Sequence, residues 1–181
     1  LLGAQAHAPT FPKRDQLHID PGSVALTVEY EVAGDEAVQL ARLFDRDRSG
    51  RLDAGECSAL RDSLAQVAVA FARLDWDGQP LPLARRDAVL RCDGAGPLLL
   101  QATWVAPLPV RASPTEEEAG HRLRLTDRHK DRRVAVPLRI TVDGVRIDDA
   151  GPAAGRSATP LRLLHEGVAT VLRVRRGPAS P

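Results

Sequence analysis

Six residues within one twelve-residue segment could together surround a metal cation. The segment spans 45–56 and reads DRDRSGRLDAGE. A hard cation such as Ca²⁺ takes six to eight oxygen ligands, which carboxylates, hydroxyls and backbone carbonyls can supply. Side-chain oxygens stand at the first, third, fifth, ninth and twelfth positions, and the seventh position offers a backbone carbonyl. The candidate ligands are Asp45, Asp47, Ser49, Arg51, Asp53 and Glu56.

This spacing resembles the calcium loop of the EF-hand family. The resemblance implies that Gly50 makes the sharp turn of the loop, that Leu52 points into a core, and that Glu56 binds through both carboxylate oxygens. A glutamate at the last position favours Ca²⁺ over Mg²⁺. The segment contains no histidine or cysteine, so soft metals are not expected. Calcium is therefore the cofactor that the sequence predicts.

The segment departs from the EF-hand pattern in two ways. The chain has one such loop, whereas most family members pair two, so Leu52 must pack against another part of the protein. Three cations, Arg46, Arg48 and Arg51, stand among four carboxylates and leave a net charge of −1. Repulsion from these arginines should weaken binding, with a Kd of about 10⁻⁵ to 10⁻³ M. An affinity in this range suits a structural ion better than a signal sensor.

Apolar residues on both sides of the loop follow a helical period. We expect an amphipathic helix on each side, and hence a helix–loop–helix unit over residues 34–72. The apolar positions are Val38, Leu40, Leu43 and Phe44 before the loop and Cys57, Leu60, Leu64, Val67 and Phe71 after it.

The rest of the chain reads as short strands. Apolar and polar residues alternate from Val24 to Val32 and from Val134 to Val142, which is typical of strands with one buried face. Asp77-Gly78 and Asp143-Gly144 predict hairpin turns. Further strands are expected at 17–19, 74–76, 81–83, 86–92, 97–105, 121–126, 161–165 and 168–175. The predicted fold class is α+β, a mostly antiparallel β-sandwich with one inserted EF-hand.

Length and composition suit one domain, expected over residues 9–175, with 176–181 as a tail or linker. No apolar run could span a membrane. The six aromatic residues are too few for the stacking platforms of single-strand nucleic-acid binders, and the net charge of +1 gives no global attraction to nucleic acid. Trp76 and Trp104 are expected in the core. Nucleic acid is therefore not an expected partner.

Charge is distributed unevenly along the chain. Residues 1–120 carry a net charge of −6, whereas residues 121–181 carry +7. The basic part could be a partner surface or simply arginine on the solvent faces of strands. The turn at 127–133, which contains Asp127, His129 and Asp131, is expected to be a charged hairpin loop. The five histidines have no metal-ligand spacing, so a second metal site would have to assemble in space.

The amino-terminal segment and the two cysteines suggest an exported protein. Residues 1–8 look like the remnant of a signal peptide, because Ala6-His7-Ala8 has the shape of a cleavage site. An exported protein could bridge Cys57 and Cys92, which are 35 positions apart, although two buried thiols remain an equal alternative. We expect a periplasmic or extracellular protein, tethered to a membrane-protein partner in one version of this hypothesis.

A second resemblance covers about 120 residues. A strand, the EF-hand unit, the hairpin DGQPLPL and the strand HRLRLTDRH are similar to periplasmic EF-hand-containing β-domains found with bacterial nickel/cobalt-type transporters. The sequence thus predicts an exported calcium-binding module that acts as a binding or accessory protein and not as an enzyme. The alternatives are an accessory domain that handles a transition metal for a transporter, and an enzyme whose site no motif reveals.

Overall fold

The computed structural model describes residues 13–92, 96–109, 120–127, 136–147, 161–164 and 169–176. It has two helices and two β-sheets, so the protein is a mixed α+β fold that is mostly β. The helices are α1 (Gly34–Phe44) and α2 (Ala54–Ala70). The strands are β1 (Lys13–Ile19), β2 (Ser23–Val32), β3 (Ala72–Trp76), β4 (Gln79–Pro80), β5 (Ala84–Arg91), β6 (Leu98–Pro107), β7 (His121–Asp127), β8 (Val136–Val142), β9 (Val145–Ile147), β10 (Leu161–Leu164) and β11 (Ala169–Arg176).

The larger sheet has six strands in the order β10-β8-β1-β2-β6-β5, and the smaller has five in the order β4-β3-β7-β11-β9. Every described pairing is antiparallel except that between β1 and β8. The α1–α2 unit is inserted between β2 and β3, and α2 packs on β5, β6 and β3. This position confirms the predicted helix–loop–helix insertion between strands.

The alternating pattern of β2 matches its burial residue by residue. Its apolar positions from Val24 to Val32 are buried, and the residues between them are partly exposed. The predicted hairpin turn at Asp77-Gly78 is present between β3 and β4, and its two residues take the positive φ angles of 50° and 83° that such turns require. The hairpin predicted at Asp143-Gly144 is wrong, because β8 belongs to the six-stranded sheet and β9 to the five-stranded sheet, so this turn carries the chain from one sheet to the other. The prediction of a strand at 81–83 is wrong. The pairing of β4 ends at Pro80, and Pro82 has no N–H to extend a ladder.

Both sheets contribute to one hydrophobic cluster. Leu26, Trp104 and Ile140 come from the six-stranded sheet, and Leu74 and Leu125 come from the five-stranded sheet. Trp76 and Trp104 are buried in this cluster, as the sequence predicted. Because apolar residues of both sheets meet in one cluster, each sheet shields the apolar side chains of the other from water.

A group of buried charges lies at the start of β1 and the end of β7. The side chains of Lys13 and Asp15 are fully buried, and that of Asp127 is almost fully buried. The Lys13 Nζ atom lies 2.5 Å from Asp127 Oδ2 and 3.2 Å from Asp15 Oδ2. Asp127 therefore belongs to the interior, contrary to its expected place in an exposed loop. His129 and Asp131 lie outside the described residues.

No helix in the part of the chain that the structure describes is long and apolar enough to cross a membrane. The segment expected to be a signal remnant, residues 1–8, lies outside the described residues. Strand β11 continues to Arg176, so it includes the first residue of the expected tail, and residues 177–181 again lie outside the description.

Candidate metal centre

Two helices hold the ends of the acidic loop. Helix α1 ends at Phe44, and the backbone N–H of Asp45 still donates to the carbonyl of Ala41 at 2.9 Å, which places Asp45 at the helix terminus. Helix α2 begins at Ala54, and Asp53 caps it by accepting a hydrogen bond from the Glu56 backbone N–H at 2.8 Å. Asp45 and Glu56 are therefore fixed by regular structure.

The apolar faces of these helices differ in part from the predicted stripes. In α2 the fully buried residues are Leu60, Ala65 and Ala68, whereas the predicted Val67 is 50% exposed. In α1 the predicted Leu43 is 76% exposed. The prediction assigned the large apolar residues to the buried face and left out the alanines. Helix α2 packs so closely on the sheets that small residues face them.

Leu52, the apolar residue of the acidic loop, packs against the rest of the protein. It is partly buried against a small apolar cluster formed by Val32, Ala37, Leu60 and Leu98. Val32 and Leu98 belong to the six-stranded sheet, so the sheet takes the place of a second loop. The expectation that Leu52 packs against another part of the protein is confirmed.

The first half of the loop wraps around the carboxylate of Asp45. Its Oδ1 accepts from the Ser49 backbone N–H at 3.0 Å, and its Oδ2 accepts from the Gly50 N–H at 2.9 Å. Gly50 has a φ of 79°, a conformation that glycine adopts without strain. The Ser49 N–H also donates to Asp47 Oδ1 at 2.9 Å. These bonds close the loop and aim two carboxylates toward its interior.

Glu56 is the buried carboxylate of the loop, with 7% of its surface exposed. Its Oε2 accepts from the Asp53 backbone N–H at 3.0 Å, which completes a reciprocal capping box. Its Oε1 accepts from the Arg46 backbone N–H at 2.6 Å. One side chain thus ties the start of the loop to its end. Since each carboxylate oxygen has about two lone pairs, both oxygens keep one for another partner.

Three carboxylates converge at this point. Asp45, Asp47 and Glu56 each offer an oxygen, and these oxygens all lie within 4.8 Å of one another. Ligands on opposite sides of a calcium ion, each about 2.4 Å from it, would be about 4.8 Å apart. One cation of this size could therefore touch all three residues at once.

The other candidate ligands are arranged differently. The hydroxyl of Ser49 donates to the backbone carbonyl of Arg51 at 2.9 Å, so the two oxygens are neighbours, but they are not part of the carboxylate group. Asp53 caps α2 and also lies outside that group.

Hydrogen bonds within the loop favour the ionised form of Asp47. Hydrogen bonds from the backbone and side chain of Ser49 lower the pKa of Asp47 below its usual value of 3.8. Asp47 is therefore ionised at neutral pH. The side chains of Arg46, Arg48 and Arg51 are exposed, and none of them makes an ion pair with a described residue.

A disulfide anchors the loop to the sheet. Cys57 directly follows Glu56 in the first turn of α2, and it is bonded to Cys92, just after β5. The two Cα atoms are 6.1 Å apart, so the prediction that the pair lies close enough to bridge is confirmed. The last candidate ligand thus sits beside a covalent link to the six-stranded sheet.

Removing this link should destabilise the protein. We expect the double substitution Cys57→Ser, Cys92→Ser to lower the free energy of unfolding by about 4 kcal/mol, because a loop of 35 residues would no longer be closed in the unfolded chain. Urea unfolding of the variant and of reduced wild type measures the loss, and the two should agree. A loss below about 1 kcal/mol in both would contradict the prediction.

The described histidines make polar contacts of other kinds. His18 Nδ1 lies 2.9 Å from the Thr141 hydroxyl on the six-stranded sheet. His121 Nδ1 lies 2.9 Å from Asp77 Oδ2, and the ring stacks on Trp76 with centroids 4.8 Å apart. Within the described ranges, the acidic loop is the one cluster of three or more metal-ligating side chains.

Comparison with protein-family models, curated proteins and solved structures found no match to this chain.

Proposed function

We propose that this protein is an exported calcium-binding module with a single structural EF-hand, and that it acts as a binding or accessory protein. The observation that carries this proposal is the convergence of Asp45, Asp47 and Glu56 within 4.8 Å. Three carboxylates this close repel one another, and a divalent cation between them would turn that repulsion into attraction. The backbone N–H groups that orient them support a site built in advance.

Calcium fits this site better than magnesium does. Both oxygens of Glu56 keep a free lone pair, which suits the bidentate binding that calcium accepts. Ser49 and Arg51 can add two neutral oxygens, and Asp53 can act through water. Binding should be weak, in the range of about 10⁻⁵ to 10⁻³ M, because three exposed arginines surround the loop.

The proposed role of the ion is to fix the two helices on the sheets. The hydrophobic cluster shared by both sheets supports a sandwich of the two, with α1 and α2 along one side. The Cys57–Cys92 disulfide supports an oxidising compartment, since such bonds persist in exported proteins. Calcium at the high concentrations found outside cells would suit a weak site of this kind.

Thermal unfolding in a calcium series tests the proposal. At about 100 times Kd, calcium should add about 2.7 kcal/mol of stability and raise Tm by about 5–11 °C. Glu56→Gln removes the anionic charge of the bidentate ligand, so most of the shift should disappear. If wild type shows no shift at about 10 mM Ca²⁺, well above the expected Kd, the proposal is wrong.

The matched control is Glu31→Gln, the same chemical change on β2, outside the loop. It should keep the full calcium shift. The comparison uses the shift and not the absolute Tm, because Glu56 also belongs to the capping box of α2. Parallel series with Mg²⁺, Ni²⁺ and Zn²⁺ test the transition-metal alternative. A larger shift with Ni²⁺ or Zn²⁺ that survives Glu56→Gln would favour that alternative over calcium.

A further inference from the structure

Five exposed arginines share the solvent side of the five-stranded sheet. Their positions follow from strand register: residues paired across neighbouring strands point to the same side of a sheet. Leu123, Leu172 and Val174 point into the core, so the residues between them point outward. We call this surface the arginine face, and it consists of Arg122 and Arg124 on β7, Arg173 and Arg175 on β11, and Arg146 on β9.

The register places like charges directly opposite one another. Arg173 pairs with Arg122, and Arg175 pairs with Arg146. Like charges at opposing positions destabilise a sheet. Gly120 reinforces this crowding, since a Cβ atom at Gly120 would lie 3.0 Å from Arg175 Cγ and 3.2 Å from Arg173 Cγ. The stems of these two arginines therefore lie side by side over a residue without a side chain. An arrangement that opposes folding needs another explanation, and binding supplies one.

Four of these five arginines have no ion-pair partner among the described residues, although Asp75 of β3 lies directly opposite Arg124 in the strand register. Arg122, Arg124, Arg146 and Arg173 make no ion pair with any described residue. By contrast, Arg73 on the neighbouring strand β3 points to the same side of the sheet and forms an ion pair with Asp75 at 2.9 Å. The protein as a whole has a net charge of only +1, so this is a local concentration of positive charge.

We propose that the arginine face docks on a membrane surface rich in anionic phospholipids. The face spans three strands and three rows of residues, about 10 by 13 Å, and such a patch can meet several phosphates at once. Guanidinium groups bind phosphate through paired hydrogen bonds. The half-buried Val171 and Ala169 stand on the same face and carry no charge that would repel phosphate.

Nucleic acid fits the same face less well. The arginine face has no aromatic residue, and neither do the outward positions of β3, Arg73 and Asp75, because Trp76 points into the core; bases would therefore find no stacking platform. The face is a sheet surface without a helix or ribbon that could enter the major groove. The proposed export, which the disulfide supports, would also bring the protein to a compartment bounded by phospholipid membranes.

Co-sedimentation with lipid vesicles tests the proposal, in EDTA so that the calcium loop is not a variable. The full chain should bind phosphatidylcholine vesicles that contain phosphatidylglycerol, and should not bind pure phosphatidylcholine. Each basic residue at an anionic surface strengthens binding about fivefold. Arg122→Gln with Arg173→Gln should therefore weaken binding about 25-fold. Raising the salt from about 0.1 to about 1 M should release the wild type, since the screening length falls from about 10 to about 3 Å.

The matched control is Arg86→Gln with Arg91→Gln, which removes two exposed arginines from β5 at the edge of the other sheet. It makes the same change in net charge and should bind as the wild type does. A second pair on the face, Arg124→Gln with Arg146→Gln, should repeat the loss. Equal loss from the control pair would overturn the proposal, because binding would then follow net charge alone. Binding of a duplex oligonucleotide without binding of anionic vesicles would overturn it as well.

Discussion

Raising the pH from about 5 to about 8 is expected to lower the free energy of unfolding by about 3 kcal/mol. Burial, with the nearby charge of Asp127, raises the pKa of Asp15 from its ordinary 3.8 to about 7 in the folded protein, against the opposing charge of Lys13. The folded state therefore holds a proton that the unfolded state has lost. The stabilisation is complete below about pH 3.8 and is lost as the pH rises through 7.

Asp15→Asn isolates this effect. The amide keeps the shape of the carboxyl group but does not titrate, so most of the decline between pH 5 and pH 8 should disappear. At pH 8 the variant should be more stable than the wild type. Asp143→Asn, a change at an exposed turn, is the control and should keep the decline. Urea unfolding at each pH gives the free energies, and a decline of equal size in Asp15→Asn would refute the assignment.

Replacing Lys13 by methionine is expected to cost about 3–5 kcal/mol at pH 8. The substitution leaves Asp15 and Asp127 facing each other in the interior without the ammonium group that now contacts both. The side chain of Lys13 also lies 5.9 Å from the centre of the Tyr30 ring, whose face favours a cation. Burial raises the pKa of Tyr30, and the charges of Asp127 and Asp15 raise it further.

A compensated variant separates lost charge from lost packing. Combining Lys13→Met with Asp15→Asn and Asp127→Asn removes all three charges, and most of the stability should return. The single variant should also lose less at pH 5 than at pH 8, because protonated carboxyl groups do not repel. If Lys13→Met lowers the free energy of unfolding by less than about 1 kcal/mol at pH 8, then the Lys13 ammonium group does not stabilise the two buried carboxylates.

Local patterns in the sequence predicted most of the secondary structure. The alternation in β2 and the periods of α1 and α2 are contained in short windows, and each produced an element at the expected place. The same holds for the candidate ligands, because the turn at Gly50 and the cap at Asp53 are built within twelve residues. The convergence of Asp45, Asp47 and Glu56 was therefore predictable without knowledge of the fold.

Features that depend on distant pairing were not predictable in this way. Lys13 and Asp15 point to the same side of β1 as the buried Leu17 and Ile19. In the sequence, however, a charged residue at such a position predicts that the strand has ended. Their acidic partner Asp127 is 114 positions from Lys13. The arginine face likewise requires the register of three strands, so the sequence could show its excess charge but not its geometry.

The parallel pairing of β1 with β8 has a consequence for how the chain folds. Asp15 lies beside Leu138, and Ile19 lies beside Val142, so more than a hundred residues separate the paired strands. A chain made from its amino terminus must expose this edge of β1 until the last third emerges, even though β2 and the disulfide partners are already available. Sheets closed by such distant contacts form slowly, since a large loop must be ordered before the contacts form. During that wait, the open edge of β1 is the site where association between unfinished chains should begin.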